Sequence, residues 1–306
     1  MAALAAAGCS STDNPIRKDK ETTKMADGKA TVYFTPEISP ASLLAAYQAP
    51  GRQLDGKVVI KLHMGERGNK NYLDPSLLQE LVAATGGTYA DCNTAYGGSR
   101  STTEGHRQTA AEHGYAPVDI LDADGHSPLP VSGGKHVREA LIGAHLGNYD
   151  SLLSVAHFKG HGMAGFGGSF KNIAVGMASA EGKNDIHGNG FSHHGEPFFE
   201  RVVEYAKAVM DNVGEKVVYI NVLNKLSTSC DCDASADDPE LADIGVLASL
   251  DPVALDRASV DLVNAAAEAQ DSKKLAERID ELNAQYLLDY AEELGLGKQA
   301  YELVEL

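Results

Sequence analysis

The chain has 306 residues, 43% of them hydrophobic and 23% charged, with a formal net charge of -17 and no tryptophan. This is an ordinary globular composition, and the length allows one large core or two small ones. So acidic a surface repels phosphate backbones and argues against nucleic acid as a partner. No apolar run approaches the roughly 18 residues of a membrane span.

Residues 1–28 read as a signal remnant and flexible tether. Ala6-Ala7-Gly8-Cys9 closes a short run of small apolar residues, as in a bacterial lipoprotein signal whose cysteine is lipidated. The stretch that follows is polar and cannot pack a core. Lipidation at Cys9 and a place in the cell envelope are therefore expected. Translation from Met25 would instead leave a cytoplasmic protein. Residues 29–306 read as one α/β domain.

In that domain, strands are expected at 31–34, 57–62, 88–92, 118–121, 149–157, 217–223 and 244–248. They are short, apolar and rich in β-branched residues. Helices are expected between them. Ser39-Pro40, Asp74-Pro75 and Asp251-Pro252 each place a capping side chain before a proline, the combination that opens a helix. Further helices are expected at 103–113, 197–212 and 272–294. This alternation predicts a mainly parallel sheet with helices on both faces, and ligands outside the carboxyl ends of the strands.

Three polar segments follow predicted strand ends. In the first, His157, Lys159 and His161 lead into the glycine-rich run that ends Ser169-Phe170-Lys171-Asn172. Imidazoles four residues apart can share a metal ion, and the lysines can hold an anion or act as acid, base or Schiff-base groups. In the second, Cys230-Asp231-Cys232 brings two sulfurs one residue apart. Their spacing fits neither a zinc knuckle nor a ferredoxin, but a bent loop can turn both to one ion. In the third, Asp91-Cys92-Asn93-Thr94 and Arg100 make a polar loop suited to a small anion. The expected metal ligands are therefore His157, His161, Cys230 and Cys232. Lys159 and Lys171 are expected catalytic groups, and Asn93, Thr94, Arg100 and Asn172 are expected to bind substrate. Mixed nitrogen and sulfur ligands suit zinc or iron. The chain has 4 cysteines and one is Cys9, so the other three cannot supply four thiolates, and no 4Fe–4S cluster held entirely by cysteine is expected within a monomer.

These runs, with Ala248-Ser249-Leu250-Asp251-Pro252 and the closing Leu294-Gly295-Leu296-Gly297, resemble the uncharacterised Fe–S-centre family built on domain of unknown function 362. Many members carry ferredoxin-like cysteine motifs before the Cys-Asp-Cys run, whereas residues 188–229 here contain no cysteine. The resemblance implies the fold and a shared polar site, and no reaction. A fainter similarity, through His157, Gly167, Gly168 and Lys171, is to the N-terminal domain of nickel-dependent lactate racemases. Two functions are expected on these grounds. One is a metal or cofactor binder, and the other is a metal-dependent redox or proton-transfer enzyme acting on a small anion. An open coordination position would favour the enzyme.

Overall fold

The computed structural model describes residues 28–306. The expected lipidation at Cys9 and the tether lie outside the described residues. An eight-stranded sheet organises the chain, in the order β12-β1-β11-β10-β7-β2-β3-β4. Its strands are β1 (Ala30–Thr35), β2 (Val58–Lys61), β3 (Thr88–Asp91), β4 (Val118–Ile120), β7 (Ser151–His157), β10 (Val217–Leu223), β11 (Gly245–Ser249) and β12 (Tyr301–Glu305). Only β11 runs against the others. The mainly parallel sheet expected from the alternation is therefore present.

The central strands β7 and β10 are buried at every position. Alternate side chains enter different cores, as a period of two requires. Leu152, Val217 and Tyr219 join one core, and Leu153, Val218 and Ile220 join the other. Helices α1 (Pro40–Gln48) and α2 (Gln79–Thr85) supply Leu43, Tyr47 and Leu81 to the smaller core. Helices α4 (Ser169–Ile173), α6 (Glu196–Val213), α7 (Pro252–Ala269) and α9 (Gln285–Glu293) supply Phe170, Phe198, Leu255 and Leu288 to the larger one. Burial on both faces is what lets these strands read as continuous apolar runs.

All three expected caps form. Ser39 makes a reciprocal capping box with Ser42, Asp74 accepts from Ser76, and Asp251 accepts from the amides of Val253 and Ala254. The expected helix at 272–294 is two helices, α8 (Lys274–Glu281) and α9, because the chain turns between them at Asn283, whose φ is 51°. Asparagine tolerates that left-handed conformation. Six further elements escape a pattern reading. The hairpin β5 (His126–Pro130) and β6 (Glu139–Gly143) contains two prolines in one strand. The hairpin β8 (Lys159–His161) and β9 (Gly165–Gly167) reads as a glycine-rich loop. Helix α5 (Ala180–His187) is short and polar, and β12 is an exposed edge. Helix α3 (Thr103–Glu112) lies where expected. Among the described residues no helix is long and apolar enough to cross a membrane.

Candidate functional site

A cavity of about 340 Å³ opens at the carboxyl ends of β2, β3 and β7. Strand direction explains its position, since the last residues of three adjacent parallel strands end on its wall. Lys61 closes β2, Asp91 closes β3 and His157 closes β7. The hairpin β8–β9, helices α4 and α5 and the loop around Cys230 complete the enclosure.

The sulfurs of Cys230 and Cys232 and a ring nitrogen of His161 lie within 4.8 Å of one another at this wall. Each arrives by a separate constraint. The Gly160 amide donates to the Ser227 carbonyl at 2.8 Å, which ties β8 to the cysteine loop. A Cβ at Gly160 would stand 2.3 Å from the Thr228 carbonyl oxygen, so this approach requires glycine. The loop after β2 holds the other side. Glu66 N–H donates to the Asp231 carbonyl at 2.8 Å, and the Asn69 amide donates to the Asp233 carbonyl at 2.8 Å. The turn at Cys230 brings the Cys232 N–H to 3.3 Å from the Cys230 sulfur. Both thiols are free. The two thiols act on one another in opposite directions. Cys230 falls to about 6 through the Cys232 thiol, against the cost of burial and with help from Lys171 and Lys159. Cys232 is raised by the same partner and by burial.

His161 accepts hydrogen bonds at Nδ1 from the amides of Met163 and Ala164, at 3.1 and 3.0 Å. Its neutral ring therefore carries its proton on Nε2, the nitrogen left for the sulfurs. Burial, with Lys171, His187 and Lys159 nearby, holds it well below the usual imidazole range.

His157, also expected as a ligand, stands outside the group of His161, Cys230 and Cys232 that could share an ion. Its Nδ1 lies 2.8 Å from Asp231 Oδ2 and its Nε2 2.7 Å from the Asn224 carbonyl. Both ring nitrogens are thus engaged by oxygen atoms inside the protein. The ring instead anchors Asp231, the residue between the two cysteines. Lys159 Nζ joins the same carboxylate at 3.1 Å. Burial opposes ionisation of Asp231, but His157 and Lys159 overcome it and hold the carboxyl well below its ordinary range. Lys159 is thus a partner of Asp231 on the cavity wall.

The expected substrate residues divide. Arg100 is 2% exposed on the wall, bonded to Asp91 at 3.3 Å and to Glu66 at 3.4 Å. Thr94 also lines the cavity, its hydroxyl donating to the Tyr96 carbonyl at 3.1 Å. Asn172 reaches the wall, but its amide is committed to the Lys61 ammonium at 3.1 Å, the Lys61 carbonyl at 3.0 Å and Ser154 at 2.9 Å. It orients Lys61. Asn93 stands behind the wall and donates to Thr103 at 3.0 Å. Lys171 is half-buried and projects to the cavity from α4. That helix is fixed by buried Asp256, which accepts the amides of Ser169 at 2.7 Å and Phe170 at 3.0 Å.

Residues outside the expected set also build the site. Lys61 is fully buried and paired with Asp91 at 3.0 Å. A lysine ending an apolar strand was the available signal for it. Lys183 and His187 arrive on α5. His63, two residues past the end of β2, stands 3.9 Å from Asp231. His106 is buried 3.6 Å from Asp91, away from the sulfurs.

The model of the family described as "Domain of unknown function (DUF362)" matches residues 58–261, more than half of the chain. The chain belongs to this family. The matched span carries every wall residue named above. No curated protein matches the chain. Among solved structures, it is similar to the lactate racemase apoprotein from Thermoanaerobacterium thermosaccharolyticum, at 15% identity and a TM-score of 0.41, over 65% of this chain and 52% of that one. It is also similar to a protein from Thermotoga maritima, at 11% identity and a TM-score of 0.41, over 77% of this chain and 57% of that one. The chain thus spans little more than half the length of either.

Proposed function

We propose that the protein binds one divalent metal ion, zinc or iron(II), through Cys230, Cys232 and His161, and presents it to the cavity. One observation carries this reading: two sulfurs and a ring nitrogen from separate elements lie within 4.8 Å of one another on the cavity wall. Ligands about 2.0–2.3 Å from a tetrahedral zinc stand roughly 3.5–4 Å apart, so binding closes the group by about 1 Å. His161 must move its proton from Nε2 to Nδ1 and give up two amide hydrogen bonds, worth about 1 kcal/mol each. Structural zinc in small domains contributes roughly 10 kcal/mol or more. The metal therefore wins over the local turn. The cations beside the sulfurs favour the thiolate form that a metal requires. Asp231, held by His157 and Lys159, fixes the loop from behind.

Three protein ligands leave a fourth position toward the cavity. That arrangement belongs to catalytic zinc sites, whereas structural sites are closed by four. It favours a metal-dependent enzyme over a carrier.

The test is metal content and cobalt(II) substitution of the full chain. Cobalt should give thiolate charge-transfer absorption and bind one ion per chain. Cys230→Ser and Cys232→Ser should weaken binding beyond the about 10–100-fold loss typical of an outer-sphere partner, and Asp231→Asn should fall within that range. Unchanged cobalt spectra in both cysteine variants would sink the proposal. Protein prepared without oxygen should lack the broad visible absorption of a 4Fe–4S cluster, because three cysteines cannot supply four thiolates.

A further inference from the structure

Five cationic side chains reach the cavity wall: Lys61, Arg100, Lys159, Lys171 and Lys183. Three of them are already matched by carboxylates. Lys61 pairs with Asp91, Arg100 with Asp91 and Glu66, and Lys159 with Asp231. The remaining two have no acidic partner among the described residues, and Asp91 is the one carboxylate on the wall. Lys183 is 8% exposed, and its ammonium donates to the Ala178 carbonyl at 2.6 Å. A carbonyl satisfies one donor and leaves the charge. Lys171 forms no side-chain hydrogen bond or ion pair among the described residues. A chain with a net charge of -17 has thus placed two cations without a carboxylate partner on one cavity wall, where burying a charge without a counterion is costly.

The geometry points to a small organic anion as the cavity's ligand, its carboxylate or phosphate held between Lys171 and Lys183. Lys171 and Lys183 project from successive helices, α4 and α5, onto the same wall. His161, Cys230 and Cys232 line the same cavity as the two lysines, so the anionic group shares it with the thiol–imidazole cluster. The rest of the ligand meets Ala95, Ala156, Met163, Val175 and Phe191. Phe191 is 42% exposed at the mouth and has a φ of 60°. The lining therefore selects an anionic head joined to an apolar body. A volume of about 340 Å³ fits a compact metabolite and lies at the small end of ligand cavities. Its place beside the cluster as the ligand of a metal-dependent reaction rests on the metal reading above, but the two lysines and the wall do not.

The test is isothermal titration of the full chain, metal-free and zinc-loaded, with benzoate, phenyl phosphate and benzyl alcohol. Binding of benzoate, phenyl phosphate or both, with benzyl alcohol at least tenfold weaker, is the expected result. The stronger of the two anions identifies the head group. Lys171→Met and Lys183→Met should each weaken anion binding by about tenfold or more, the scale of a lost charge-assisted hydrogen bond. Lys171→Arg should restore most of it, and Lys207→Met on α6 should change nothing. Equal affinity for benzyl alcohol, no effect of either methionine variant, or no binding of any probe would overturn the inference. Anion binding by protein that takes up no zinc would remove the metal reading and keep this one. Zinc uptake with no anion binding in either form would do the reverse.

Discussion

At the scale of single residues, the site is a set of charges held against the cost of burial. Asp91 shows the balance most clearly. Its burial opposes ionisation, but Lys61, His106 and His63 outweigh that and hold its carboxyl well below the usual range. A depressed carboxylate contributes stability above the unfolded value of about 3.9 and loses it as pH falls through the folded one. Asp91→Asn leaves Lys61 and Arg100 buried beside a neutral amide. It should cost about 3–5 kcal/mol in urea unfolding at neutral pH, with the deficit shrinking below about pH 4. A deficit that is constant down to the acid transition would contradict this account. His187 behaves in the opposite chemical sense. Burial lowers its imidazole to about 4, so the folded state holds it neutral while the unfolded chain takes up the proton. Its folded value is depressed, so stability falls as pH drops from about 6.5 toward 4, by at most roughly 3 kcal/mol. His187→Gln should flatten that part of the stability curve, and an unchanged slope would show that the ring is solvated.

At the scale of elements, the hairpin β8–β9 and the cysteine loop act as one piece because two backbones touch at Gly160. Gly160→Ala would drive its Cβ into the Thr228 carbonyl, which stands 2.3 Å from that position. The loop carrying Cys230 must then move. We expect a cost of about 1–3 kcal/mol, as for an overpacked core position, together with loss of cobalt binding and unchanged far-ultraviolet circular dichroism. Wild-type cobalt affinity in this variant would mean that the sulfurs are not positioned by β8. The break between α8 and α9 is a second local event. Asn283 adopts its left-handed φ at the turn, so a substitution by a β-branched residue such as Asn283→Val should destabilise the chain by about 1–2 kcal/mol.

At the scale of the whole molecule, both cores share one sheet. Strands β7 and β10 send alternate side chains to each, so neither core can lose its packing while those strands stay intact. Leu288→Ala, deep in the larger core, should cost about 2–5 kcal/mol. Unfolding should remain one transition, with tyrosine fluorescence and circular dichroism coincident in urea. The chain has no tryptophan, so a tryptophan placed in the smaller core would report that side alone. Two separated transitions would show that the faces fold independently.

Seven strands of the main sheet, the three capped helices and the sulfur pair were legible in the residues themselves, because apolar period, side-chain caps and thiol spacing are local properties. The order of strands along the chain also implied that polar loops gather at their carboxyl ends. Which residues of those loops meet was decided only in three dimensions. His157 and His161 are four positions apart and look alike in sequence. A carboxylate and a carbonyl from other segments occupy both nitrogens of His157, while His161 turns one toward the sulfurs. Lys159 and Lys171 are equally similar in sequence, yet Asp231 neutralises Lys159 alone. The partner of a buried charge comes from distant chain. Burial and hydrogen-bond satisfaction, which separate a structural group from a chemical one, therefore exist only once the sheet has brought those segments together.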